Sequence, residues 1–147
     1  MKISLVIPTI GRDKYLNLLL KSVVNQIESF DEIVVFDNSI SQDIEVELNN
    51  NSNYEIKIIR SGGQLDPISS WNKAVRSCSN EYVAILGDDD IATTKFSTEV
   101  RKSLQYSDVV IARAEAIDEN GVKIQDLPYP EQELLGYCEF IEKRLTG

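Results

Sequence analysis

Four short apolar runs, each closed by a polar or acidic residue and separated by segments of helical periodicity, constrain this chain more than any other feature. Ile3-Ser4-Leu5-Val6-Ile7 ends at Pro8-Thr9, Ile33-Val34-Val35-Phe36 ends at Asp37-Asn38, Glu55-Ile56-Lys57-Ile58-Ile59 ends at Arg60-Ser61, and Tyr82-Val83-Ala84-Ile85-Leu86 ends at Gly87-Asp88-Asp89-Asp90. Runs this short, β-branched and nearly without alternation suit strands buried on both faces, as in a parallel sheet. Parallel neighbours need crossovers, and the intervening segments supply them. From Asp13, read as an N-cap, Leu16, Leu19, Leu20, Val23 and Ile27 recur at helical spacing. Asp66-Pro67 places a cap before an N1 proline, and Trp71, Ala74, Val75 and Cys78 follow on one predicted core face.

Weaker signals fill the remainder. Ser41 to Asn50 reads as a weak helix, Phe96, Val100 and Leu104 as a firmer one, and Asp108 to Ala112 as a further strand. Asn120-Gly121 can supply positive φ to a hairpin over Ala116 to Ile124, and Leu134, Cys138, Ile141 and Leu145 line a tail helix beginning near Glu133. The expected architecture is a three-layer α/β/α sandwich with a mainly parallel sheet, residues 1–130 forming the core and 131–147 a C-terminal helix. A length of 147 residues supports one such core and not two.

Composition narrows the function classes. The net charge of -9 lacks the basic footprint of a nucleic-acid binder, and no apolar run approaches the roughly 20 residues of a membrane helix. No histidine is present, which excludes His-based catalysis and the usual zinc sites, and Cys78 and Cys138 lack ligand spacing and read as free thiols. The N-terminus has no apolar leader pattern, so a cytoplasmic location is expected, with peripheral attachment to the inner face of a membrane as the variant for a full-length protein.

In open parallel sheets ligands bind beyond the carboxyl ends of the strands, so Pro8-Thr9, Asp37-Asn38, Arg60-Ser61 and Asp88-Asp89-Asp90 are the residues to weigh. Three successive carboxylates repel one another unless water or a cation compensates, and Mg²⁺ or Mn²⁺ shared with substrate phosphates is one such compensation. The competing reading is a solvated acidic turn capping the next helix, with Asp37 forming an Asx-turn. A nucleotidyltransferase would need a glycine-rich phosphate loop where only Gly11 stands, and a receiver domain would need an acidic pair where Pro8-Thr9 stands.

Taken together and in order, Ser4 to Thr9 with Arg12, Ser22 to Gln26, Asp31 to Ser39, Trp71 to Ala74, Glu81 to Asp90 and Ile117 to Gly121 resemble the nucleotide-binding half of a family 2 glycosyltransferase of GT-A fold. The resemblance implies a transferase, inverting in type, that takes a sugar from a nucleoside diphosphate donor, usually uridine-linked, to a saccharide or lipid-linked acceptor. It implies nucleotide contacts from Pro8, Thr9, Arg12, Asp37 and Asp88, with Asp88 toward the ribose or sugar. It further implies Asp89 first and Asp90 second as ligands of Mn²⁺ or Mg²⁺. The family's general base lies in a later acceptor-binding half, so this chain is expected to carry mainly the donor site. Glu131, Glu133 and Glu139 read as a solvated helix face rather than as substitutes. The alternative is a non-catalytic nucleotide-sugar-binding or interaction module. With the acceptor half missing, a tail helix exposing Leu134, Ile141 and Leu145 would favour a homo-oligomer.

Overall fold

The computed structural model describes residues 1–40, 44, 54–119 and 121–124. Within them, β1 (Ile3–Thr9), α1 (Asp13–Val24), β2 (Glu32–Asp37), β3 (Ile56–Arg60), α2 (Pro67–Arg76), β4 (Tyr82–Ile85) and α3 (Phe96–Ser103) follow in order. The four strands form one parallel sheet in the order β3-β2-β1-β4. The predicted strands Ile3–Ile7, Ile33–Phe36, Ile56–Ile59 and Tyr82–Leu86 are therefore found, and the Leu86 N–H still donates to the Val6 carbonyl at 3.2 Å just beyond β4.

The chain steps from β1 to β2 in one direction and from β3 across to β4 in the other. Crossovers of one hand then put their helices on opposite faces. Ile3, Leu5 and Ile7 of β1 pack with Leu16, Leu19, Leu20 and Val23 of α1, joined by Phe96, Val100 and Leu104. Val6, Val34 and Phe36 point the other way, onto Ala74 with Val75 and Cys78. Every residue of β1 is buried, which explains why its sequence shows so little alternation.

Helix ends are fixed by identifiable bonds. Asp66 caps α2 by accepting the Ser69 N–H at 3.0 Å, as its position before Pro67 predicts. Asp13 is not the cap of α1: Arg12 holds that position without a capping side-chain bond, and Asp13 enters the first turn, where the helix dipole favours a carboxylate. α1 stops at Val24, so Ile27 leaves the apolar stripe and is exposed. The Gln26 side chain instead ties the next layer, its Nε2 donating to the Thr93 carbonyl at 2.7 Å and its Oε1 accepting the Ser97 N–H at 2.9 Å. An orphan donor at the start of α3 is satisfied in this way from the segment that follows α1.

Two other expectations are corrected. Trp71 is 48% exposed rather than core, because α2 seats on the sheet through Ser70 and Ala74, four residues apart, leaving the indole on the flank. Asp108 to Ala112 forms no strand: no ladder partner meets this run among the described residues, and Val109 and Ile111 stay exposed. The hairpin is present as an antiparallel bridge between Ile117 and Lys123, with Gly121 at φ 77°.

The chain divides into two compact units, Met1–Val110, which holds the sheet, and Ile111–Gly147, which holds that hairpin. The expected helices over Ser41 to Asn50 and from Glu133, with Leu134, Ile141 and Leu145, and the boundary at residue 130 lie outside the described residues, Ile44 excepted.

Candidate nucleotide-sugar site

The strand order reverses at β1, with β2 on one side and β4 on the other, so a crevice opens beyond the carboxyl ends of these strands. Pro8 and Thr9 end β1, Asp37 ends β2, and Asp88, Asp89 and Asp90 follow β4, all at this one edge. Asp37 and Asp89, 52 positions apart in sequence, thus reach the same side of the sheet.

Asp88 is the centre of a buried polar cluster. It is 1% exposed, and its Oδ2 accepts the Thr9 hydroxyl at 2.6 Å and Arg12 Nε at 3.2 Å. Arg12 Nη2 pairs with Oδ1, completing a two-pronged guanidinium–carboxylate contact. The same guanidinium extends Nη1 to Asp89 Oδ2 at 2.9 Å. Its hydrogen bond to Asp88 is the main reason that the Arg12 pKa is raised further, against the opposing effect of burial, with the charges of Asp88 and Asp89 adding to it. Thr9 Oγ1 in turn accepts the Gly11 N–H at 3.1 Å. Gly11 has φ 91°, and a Cβ there would come within 3.0 Å of Ser39 Cβ, so the turn after β1 lies directly against the chain leaving β2.

The three aspartates do different work. Asp88 is enclosed. Asp90 folds back, its Oδ2 accepting the Gly87 N–H at 2.7 Å, and a Cβ on Gly87 would sit 3.0 Å from Asp89 Oδ1 and 3.2 Å from Asp90 Oδ2. Asp89 and Asp90 are both exposed, the Asp89 side chain to 54%. Among the described residues no three Asp, Glu, Cys or His side chains converge to enclose a metal ion. Hard carboxylate oxygens on an open turn nevertheless fit a Mg²⁺- or Mn²⁺-type ion that takes one or two protein ligands and completes its shell with water and phosphate.

At the other half of the edge, Asp37 is 3% exposed, with Oδ1 accepting the Ser39 N–H at 2.8 Å in the expected Asx-type turn. Its Oδ2 lies 3.9 Å from Arg60 Nε. Asp37, Arg60, Ser61, Gly62, Gly63 and Gln64 help line a cleft of about 260 Å³, and a second of about 350 Å³ adjoins it between Ile10, Asn38, Ser39, Ile40 and Gln64. Asn38 braces this wall, its Nδ2 donating to the Leu65 carbonyl and its Oδ1 accepting the Leu65 N–H, both at 2.9 Å. The sequence marks Arg60-Ser61 only as a strand end. Gln64 carries no signal, because its place in the cleft comes from the turns after β2 and β3 meeting in space.

The Glycosyl transferase family 2 profile matches residues 4–144. The chain belongs to this family. A relative from Methanocaldococcus jannaschii, described as the uncharacterized glycosyltransferase MJ1057, is 29% identical over 98% of this chain and 52% of its own length. The chain therefore spans about half of that curated relative. Among solved structures, S. aureus TarS 1-349 superposes over 71% of this chain and 32% of its own length with a TM-score of 0.61 at 24% identity. The same TarS segment in complex with UDP-GlcNAc gives a TM-score of 0.62 over 71% of this chain and 31% of that one, also at 24% identity. These likenesses establish the GT-A-type α/β fold. Among the described residues no helix is long and apolar enough to cross a membrane.

Proposed function

We propose that this chain carries the donor site of a glycosyltransferase that moves a sugar, with inversion, from a nucleoside diphosphate, uridine-linked by preference, to a saccharide or lipid-linked acceptor. The observation that carries the reading is the meeting of Asp37 with the Thr9–Arg12–Asp88 cluster at the crevice where the strand order reverses, in a chain of this family. The TarS structure solved with UDP-GlcNAc supports the choice of donor class. Pro8, Thr9 and Asp37 would face base and ribose, Asp88 would set the ribose side of the wall, and Arg12 would offer positive charge toward the diphosphate. Asp89, with Asp90 behind it, would hold Mn²⁺ or Mg²⁺, which when bound stabilises charge on a departing diphosphate. The metal and Arg12 also meet the electrostatic demand of bringing a diphosphate to a chain of net charge -9. The setting that fits this reading is the cytoplasm, with peripheral attachment to the inner face of a membrane as the variant for a full-length protein.

A thermal-shift and calorimetry panel of nucleoside diphosphate sugars, with Mn²⁺ and with chelator, tests the reading. UDP-sugars should stabilise the protein, more so with Mn²⁺, by RT ln(1 + [L]/Kd). Failure of every donor to shift the unfolding midpoint would refute it. Binding without turnover on any acceptor would favour a nucleotide-sugar-binding module instead.

A further inference from the structure

Arg12 touches two carboxylates in different surroundings. Toward Asp88 it makes two bonds to a carboxylate that is 1% exposed and also held by Thr9. Toward Asp89 it makes one bond, at 2.9 Å, to a side chain that is 54% exposed. The Arg12 side chain is 41% exposed, so it spans from an enclosed carboxylate to a solvent-facing one. Ion pairs of the exposed kind are weak and exchangeable, whereas stripping a buried carboxylate of its partner is costly.

We propose that Arg12 is a resident counter-ion with two grips of unequal strength, holding Asp88 throughout and yielding Asp89 to the divalent cation that accompanies a nucleoside diphosphate. The inference rests on the donor-site reading above. Arg12 is then a positioning residue. Before loading, its charge keeps Asp88 and Asp89 from repelling each other and keeps the turn after β4 against the turn after β1. On loading, the released Nη1 is left beside the entering diphosphate, still anchored through Asp88, so that one cation is exchanged for another without opening the buried cluster. A purely structural Arg12 predicts only lost stability on its removal; a competing counter-ion predicts tighter metal binding in the same variant.

The test is Mn²⁺ titration by calorimetry of wild type and Arg12→Gln, without nucleotide, together with arginine side-chain NMR of the wild type. Arg12→Gln should bind Mn²⁺ roughly tenfold more tightly, the order expected when a unit charge is removed from beside a partly solvated site. In the wild type, added Mg²⁺ should leave the Arg12 Nε–H protected from exchange, because its bond to Asp88 persists, while the Nη protons change environment. Unchanged or weaker Mn²⁺ affinity, or loss of Nε–H protection with Mg²⁺, overturns the proposal. The NMR arm decides alone if Arg12→Gln does not fold. UDP-GlcNAc binding to the wild type is measured in parallel: if it is absent while Mn²⁺ binding tightens in the variant, the donor reading falls and the counter-ion role stands.

Discussion

Both ends of the sheet gather carboxylates, and they neutralise them differently. At the amino end, Glu32 accepts Ser4 Oγ at 2.5 Å, the Ser79 N–H at 2.7 Å and Ser79 Oγ at 2.8 Å, while Asn80 Nδ2 reaches Ser4 Oγ at 3.0 Å. Asp31 accepts the Ile3 N–H at 2.9 Å and Arg101 Nη2 at 2.8 Å. Burial alone would raise both acids; for Glu32 the bonds from Ser4 and Ser79 with the Lys57 charge outweigh it, and for Asp31 the bonds from Arg101 and Ile3 do, leaving both pKa values lowered. These donors wrap around their acids and strap the strands together. At the carboxyl end Asp88 is enclosed, Asp37 is buried yet lines a cleft, and Asp89 stands open to solvent. The amino-end acids are satisfied by donors from neighbouring segments, whereas in the donor-site reading the carboxyl end keeps acidic groups available to a ligand.

The sharpest way to break this contrast is Arg12→Ala, which leaves Asp88 charged in a buried setting. We expect a loss of about 2–3 kcal/mol in urea unfolding, below the value for a fully buried pair because Arg12 is partly solvated. Asp37→Ala should lower UDP-sugar affinity about tenfold, or about 1.4 kcal/mol, with chelator as well as with Mn²⁺, and calorimetry would show it. At the opposite end Glu32→Gln should cost about 1 kcal/mol of stability by losing charge-assisted bonds and leave donor affinity unchanged. If donor binding changed as much as with Asp37→Ala, the division between the two ends would be wrong. Lowered folded-state values for Asp31 and Glu32 mean stability that is complete above the unfolded values of about 4 and lost as pH falls through the lower folded ones. Acid unfolding midpoints should show this, with a smaller acid slope in Glu32→Gln. Smallest of all, Trp71→Ser should change stability by less than about 1 kcal/mol, since the indole is half outside.

Much of this molecule was legible residue by residue. β1 and β2 announce themselves because burial on both faces removes polar positions, and Asp66-Pro67 fixes the start of α2 through bonds local to four residues. Trp71 and the run Asp108 to Ala112 misled for one reason: apolarity states what a residue would tolerate, while the packing partner decides what it receives. The site was legible as a set of strand ends and not as an arrangement. Thr9, Arg12 and Asp88 could each be singled out, yet that one guanidinium would take both oxygens of Asp88 depends on side-chain reach across two turns, which no spacing encodes. The burial of Asp88 beside exposed Asp89 and Asp90 is likewise invisible in three identical letters.

The sheet order also sets a timetable for synthesis. Arg12 and Asp88 are 76 positions apart, and β1 cannot receive β4 until the later segment has left the ribosome. At about 5–20 residues per second, roughly 4–15 s pass between their emergence. During that interval α1 and β2 can already cover one face and one edge of β1, while its other edge offers an unpaired apolar ladder to any passing strand. The nascent chain is thus most vulnerable to mispairing just before its acidic turn arrives, and the contact that completes the crevice also ends that exposure.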